Sequence, residues 1–349
     1  MTSEHFLMKK ERRSADAPDV GDTTLNNDMF DVIQADLEML ELTLTEAIAS
    51  ETALITDIGT HLVSSGGKRL RPALFLVAAR GGTSFDPARA MPIAAALELV
   101  HTASLVHDDV IDEADTRRGA ATANAKWGNQ IAILTGDYIF ARAFKLIAEK
   151  GYDSSIYVKL AQLVCTLSEG EILQDHTVYQ VPKDESAYYE RIRKKTADFL
   201  EICCELGAMI GGMSADDTAR MAQYGQALGM AFQITDDLLD FRQTSEHIGK
   251  PAGHDLAQGY VTLPVIRALS VLDAHGRAEL TALVKNPKMT EEEVARALDI
   301  VRMTDGLDYA QTQADAYLER AKNVLPEKLD ERVRETCLMA ADFIGRREF

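Results

Sequence analysis

Residues 98–112 read ELVHTASLVHDDVID and residues 232–241 read FQITDDLLDF, and both the fold and the chemistry turn on these two stretches. In the first, Asp108, Asp109 and Asp112 stand at i, i+1 and i+4 within a helical pattern that runs from about Ala88. On a helix Asp108 and Asp112 share a face, about 6 Å apart along the axis. The second stretch repeats the arrangement with Asp236, Asp237 and Asp240, flanked by Phe232, Ile234, Leu238, Leu239 and Phe241. Three carboxylates on one apolar turn repel each other, form helix poorly and are costly to bury unpaired, so a cation must compensate. Oxygen-only ligands select hard ions such as Mg²⁺, which are shared between one or two carboxylates and substrate phosphates. A single such cluster would pass as a solvated acidic face; two copies in apolar settings point to metal sites. Asp216 and Asp217 make the contrast, since they follow Ser214 at capping-box spacing and a helix cap accounts for them.

Outward from these stretches the pattern is helix after helix. Ile33, Leu37, Leu40, Leu44 and Ile48 form the stripe of an amphipathic helix, and Ile55, Ile58 and Leu62 continue the period. Asp86 before Pro87 and Thr290 with Glu293 have helix-start chemistry. Only 9 prolines and 22 glycines punctuate 349 residues, too few for a chain of many hairpins. No alternation of strands with helices and no solenoid repeat is present. The expectation is an all-α, single-domain helical bundle over residues 30–349, preceded by a polar, flexible tail at residues 1–29.

Charge and cysteine narrow the partners. With 37 basic and 55 acidic residues the net charge is −18, which repels nucleic acid and anionic membrane surfaces, so an anionic substrate must be met by local cations or metals. Cys165, Cys203, Cys204 and Cys337 show no C-x-x-C spacing and no disulfide framework, which fits a reducing cytoplasm. The N-terminal residues mix both charges and lack a signal peptide's apolar run. The most apolar later stretch, Ile131 to Ala148, is interrupted by Asp137, Arg142 and Lys145, so no transmembrane segment is expected.

Basic residues recur beside the acidic clusters. GGKRLRP supplies Lys68, Arg69 and Arg71 after two glycines that let the backbone approach a phosphate. Arg117 and Arg118 follow the first cluster, Lys194, Lys195 and Thr196 lie between the two, and Lys250 follows the second. His101 stands seven residues, close to two turns, before Asp108; the residues leave a core histidine and a ligand equally open. His107 points away from Asp108, and the sequence suggests no partner for it.

GGKRLRP (66–72), ELVHTASLVHDDVIDEADTRRG (98–119), GEILQ (170–174), KKT (194–196), FQITDDLLDF (232–241) and GKPAGHDLAQGYVTLP (249–264) resemble, in order, the signature blocks of the trans-polyprenyl diphosphate synthases. The resemblance implies an isoprenoid synthase fold, an all-α bundle around a deep central cavity and commonly a homodimer. It further implies condensation of an allylic diphosphate with isopentenyl diphosphate and loss of diphosphate. By matched position, Asp108, Asp112, Asp236 and Asp240 would coordinate Mg²⁺, with Asp109 and Asp237 completing the catalytic clusters. Lys68, Arg71, His101 and Arg118 would hold isopentenyl diphosphate. Arg117, Lys195, Thr196 and Gln233 would hold the allylic diphosphate with Lys250, and Gln174 would line the same pocket. One departure is Tyr260 in GYVTLP, where many members have lysine.

The residues before the first aspartate block should shape the wall that receives the growing tail. Ala103 and Ser104 are small, whereas short-chain members generally resemble this stretch with an aromatic there, so a product of seven to nine isoprene units is implied, of the kind used for quinone side chains. Phe140 and Phe144, at i and i+4 on the next helix, are candidates for the floor, or for ordinary core packing. The alternatives are a short-chain farnesyl or geranylgeranyl diphosphate synthase and a class I terpene cyclase, whose second metal motif is typically mixed rather than a second D-D-x-x-D. A non-catalytic subunit would be expected to lose metal ligands that this chain keeps, and a ferritin-like di-metal bundle is weaker still, since no Glu-x-x-His pair is arranged to bind iron. A catalytic subunit acting with a smaller partner remains open.

Overall fold

The two aspartate-bearing stretches lie at the C-terminal ends of the two longest helices of a computed structural model that describes residues 27–64, 66–242 and 252–346. A 3₁₀ turn, Asn27–Ile33, opens the described chain, with Met29, Phe30 and Ile33 buried. Then follow α1 (Gln34–Ile48), α2 (Ala53–Ser64), α3 (Leu70–Arg80) and α4 (Pro87–Ile111). A two-stranded hairpin, β1 (Thr116–Arg117) and β2 (Ala120–Ala121), leads to α5 (Ala123–Trp127), α6 (Asn129–Ala148), α7 (Ser154–His176) and α8 (Ser186–Ile192). A π-helical turn, Arg193–Ala197, runs into α9 (Asp198–Ile210), followed by α10 (Ala215–Arg242). The remainder is α11 (His254–Ala257), α12 (Leu263–Val271), α13 (Ala274–Val284), α14 (Glu291–Arg302), α15 (Gly306–Val324) and α16 (Glu331–Gly345).

The expected caps form. Asp86 accepts the amide of Ala88, the Ser214 hydroxyl accepts that of Asp217, and Thr290 with Glu293 completes a capping box. The stripe on α1 buries Leu40, Leu44 and Ile48. α4 packs along α6, α9 lies between α3 and α10, and α15 covers another side of α10. One large core joins α1, α3, α4, α9 and α10, and a second gathers the end of α10 with α12, α14 and α15. α10 therefore belongs to both, which fixes the second aspartate cluster relative to the first. At Gly229 a Cβ would stand 2.5 Å from the Cα of Ala197, so α10 sits directly on the π-helical turn and only glycine fits.

Three local features differ from the sequence reading. The hairpin after α4 is strand, turned by Arg118 (φ 54°) and Gly119 (φ 76°), the left-handed pair that a tight hairpin needs; two-residue strands leave no periodicity to detect. Asp112 is the C-cap of α4, not an interior residue, though its amide still donates to the Asp108 carbonyl at 2.8 Å and keeps both on one turn. Among the described residues the one helix long and apolar enough to cross a membrane is α4, not Ile131–Ala148, and 78% of its most apolar window is buried against neighbouring helices. A core helix meets the same length and composition test as a membrane span. Of the tail expected at residues 1–29, residues 27–29 already belong to the 3₁₀ turn and Met29 packs into the core, while residues 1–26 and Lys250 lie outside the described residues.

Candidate active site

Five segments bring charged and polar side chains together: the ends of α4, α7 and α10, the π-helical turn, and α11 with the loop after it. A π turn inserts one extra residue, closed here by the Asp198 amide donating to the Arg193 carbonyl. Neighbouring lysines consequently reach different partners: Lys194 goes outward to Glu169 at 2.6 Å, whereas Lys195 meets Glu171 at 2.7 Å. Gly170 makes this approach possible, since a Cβ there would lie 3.1 Å from the Lys195 nitrogen. Glu171, which the sequence reading quoted in GEILQ without assigning it a role, thereby joins the first aspartate cluster.

The electrostatics record that gathering. Burial, then the charge of Glu171, pushes the Asp108 carboxyl up to about 7, against the pull of Lys195. Asp112 is raised by burial while Lys195 opposes the rise. In the second cluster Asp236 is exposed, and Asp240 accepts the amides of His254 at 3.0 Å and Asp255 at 3.1 Å. Burial still raises Asp240. Asp255, another residue without a sequence assignment, is pushed up to about 8 by burial and by the charges of Asp237, Asp240 and Asp236. Tyr260 spans the two clusters: its hydroxyl bonds Gln174 and it feels the charges of Asp112, Glu171 and Asp255. Gln174 in turn donates to Glu171 at 3.3 Å.

Burial first, and repulsion among these carboxylates second, disfavours their charged forms, and a hard divalent cation would relieve both. Among the described residues no three carboxylate, imidazole or thiol groups close on one point as a protein-only cage. An ion completed by phosphate oxygens and water needs no such cage, so the donor set fits Mg²⁺.

The middle aspartate of each cluster has protein partners. Asp109 is 3% exposed and accepts from Nε of Arg117 at 2.7 Å. Asp237, 4% exposed, accepts from the Tyr188 hydroxyl at 2.7 Å and from Gln233 at 2.9 Å, and Gln233 accepts from Thr196 at 2.8 Å. Thr196 and Gln233 are thus assembled beside the second cluster, Lys195 and Arg117 beside the first.

A cavity that shares Asp109 and Arg117 with the first cluster opens between α2, α4 and the hairpin, lined also by Arg69, Glu98, His101 and Arg118. Arg69 pairs with Glu98 at 2.8 Å and Glu41 at 2.7 Å. Arg71 donates from Nη1 to Nε2 of His101 at 3.1 Å and stacks 4.9 Å from the Phe199 centroid. Arginine can only donate, so His101 Nε2 accepts and the imidazole is neutral. Burial and the neighbouring arginines hold its pKa well below the usual histidine range. Nε of Arg71 is buried with no hydrogen-bond partner among the described residues. Arg118 bonds the Gly66 carbonyl, and Lys68 stands 5.5 Å over the ring of Phe343. His107 does have partners: the Ile133 carbonyl at 3.1 Å, Asp137 at 3.6 Å and the ring of Phe140. Contacts to the next helix are invisible to spacing along one helix.

Of the wall residues, Ala103 is fully buried, and Ser104 is half-buried with its hydroxyl on the His101 carbonyl at 2.9 Å. Phe140 and Phe144 are half-buried and pack against the main core.

Residues 52–301 match the family model for polyprenyl synthetase. The chain belongs to that family. Component 2 of the heptaprenyl diphosphate synthase of Geobacillus stearothermophilus is 40% identical over 92% of this chain and 98% of its own length. The crystal structure of a decaprenyl diphosphate synthase from Rhodobacter capsulatus superposes with a TM-score of 0.87, at 34% identity, over 92% of this chain and 98% of that one. A polyprenyl synthase from Caulobacter crescentus, in complex with calcium and isoprenyl diphosphate, gives a TM-score of 0.84 at 32% identity over 92% and 97%. The all-α fold and the family expected from the signature blocks are those found.

Proposed function

We propose that this polyprenyl synthetase joins an allylic diphosphate to successive isopentenyl diphosphates, releasing diphosphate at each step and building a long-chain all-trans product of seven to nine isoprene units for quinone side chains. The observation that carries the reading is the pairing of two aspartate clusters across one site, with Lys195, Thr196 and Gln233 set between them. Similarity to heptaprenyl and decaprenyl diphosphate synthases supports the long product.

Asp108, Asp112, Asp236 and Asp240 would hold Mg²⁺, which supplies neutralisation of the diphosphate as its bond to the allylic carbon ionises. Lys195, Thr196, Gln233 and Arg117, with Lys250, bind the same group and stabilise the negative charge that develops on it. Lys68, Arg71, His101 and Arg118 orient isopentenyl diphosphate, His101 and Arg118 from the wall of the cavity beside the first cluster. Gln174 and Tyr260 line the space between the clusters. Glu171 and Asp255 add to the negative field that attracts the metal. The surrounding apolar helices exclude water that would quench the cation, and the released diphosphate takes the proton. Ala103 and Ser104, with Phe140 and Phe144 below, shape the wall that the tail passes.

We propose that the enzyme acts in the cytoplasm as a homodimer. Ile133 and Leu134 on α6 and Val158 and Ile172 on α7 stand in solvent, two of them more than 60% exposed, and a second copy would cover them. The relative named as a component of its synthase supports a smaller partner subunit as the second reading. Sedimentation of the chain alone distinguishes the two. The activity is tested by measuring diphosphate release with Mg²⁺, farnesyl diphosphate and isopentenyl diphosphate: one diphosphate per isopentenyl unit incorporated supports it, and none from folded, dimeric protein overturns it.

A further inference from the structure

Tyr188 lies at the start of α8, 3% exposed, and nothing in the sequence sets it apart. Its hydroxyl donates to Oδ2 of Asp237 at 2.7 Å, while Oδ1 of the same carboxylate accepts Nε2 of Gln233 at 2.9 Å. Oε1 of Gln233 accepts the Thr196 hydroxyl at 2.8 Å. The directions are forced: a carboxylate only accepts, so the amide of Gln233 turns its N–H groups to Asp237 and its carbonyl to Thr196. Tyr188 closes the far end of this chain, and Arg191, whose guanidinium lies 5.5 Å from the Tyr188 ring centroid and within electrostatic reach of Asp237, is an alternative donor.

We infer that Tyr188 is a positioning residue for the allylic diphosphate: by fixing the Asp237 carboxylate it sets the amide orientation of Gln233 and, through it, the hydroxyl of Thr196. The inference rests on the reading of Gln233 and Thr196 as diphosphate ligands. Without the hydroxyl, Asp237 is left with an unpaired buried oxygen and turns toward Arg191, and Gln233 follows it.

The test compares the full-length wild type with Tyr188→Phe, which deletes one oxygen. The expected result is a rise of about five- to tenfold in KM for farnesyl diphosphate, the scale of one hydrogen bond, with KM for isopentenyl diphosphate within about twofold. Binding of farnesyl thiolodiphosphate, an unreactive analogue, should weaken by the same factor in calorimetry. In a Thr196→Val background Tyr188→Phe should add less than about twofold, because the chain it acts through is already cut. Full additivity, an equal effect on both substrates or no effect overturns the inference. Should Tyr188→Phe melt below the assay temperature, the same measurements are made on both proteins below its melting point, where the selective loss should persist. A wild type that binds the analogue yet elongates nothing contradicts the proposed activity, and the calorimetry then decides the role of Tyr188 by itself.

Discussion

Replacing Lys195 by methionine removes one positive charge and keeps the stem. Its Nζ lies 2.7 Å from Glu171 Oε2, with the lysine side chain 31% exposed and the glutamate 17%. A pair this accessible is screened, so its loss should cost folding stability about 1 kcal/mol or less. The functional cost is set elsewhere, because in the proposed complex the ammonium would face the departing diphosphate. Removal of one donor to charge that develops in the transition state costs about 10²- to 10³-fold in rate, which is about 2.7–4 kcal/mol. The charge of Lys195 also draws the Asp108 and Asp112 carboxyls down, so the Mg²⁺ concentration for half-maximal activity should rise as well. The assay is steady-state elongation with Mg²⁺ titrated, beside a thermal melt. A kcat within about threefold of wild type, or a melting temperature that falls far enough to account for the lost activity, refutes the reasoning.

Arg71→Met should raise KM for isopentenyl diphosphate by about tenfold or more and leave that for farnesyl diphosphate nearly unchanged, since Arg71 donates to His101, which lines the cavity; initial rates with each substrate varied in turn check this. Ser104→Phe should shorten the product while preserving the first condensation, read by chromatography of the dephosphorylated chains; unchanged length counts against the wall. Metal-free protein should lose stability as pH rises from about 4 to 7: Asp108 keeps its proton up to about pH 7 when folded but releases it near 3.8 when unfolded, so the folded state binds more protons across that window. Thermal melts at intervals of pH should show the decline, and Mg²⁺ with diphosphate should remove it.

Periodicity and punctuation made the helices legible, because an apolar stripe such as that on α1 and a cap such as Thr290 with Glu293 are local properties. The aspartate clusters were legible because three carboxylates on an apolar turn are costly without a cation. What stayed hidden is what depends on packing between elements. Glu171 becomes part of the site only because Gly170 lets α7 touch the π-helical turn. Tyr188 matters only because α8 places it under Asp237, 49 residues away in the chain. The π turn itself, which sends Lys194 and Lys195 in different directions, leaves no trace in residue type. Asp109 and Asp237 read as equals of their neighbours, yet each is buried against partners contributed from outside its own turn or helix.

The most direct measurement is to incubate the purified chain alone with Mg²⁺, farnesyl diphosphate and labelled isopentenyl diphosphate, and to size the dephosphorylated products. The account predicts a ladder that ends at seven to nine isoprene units. A product that stops at three or four units, or consumption of farnesyl diphosphate without incorporation of label, would contradict it.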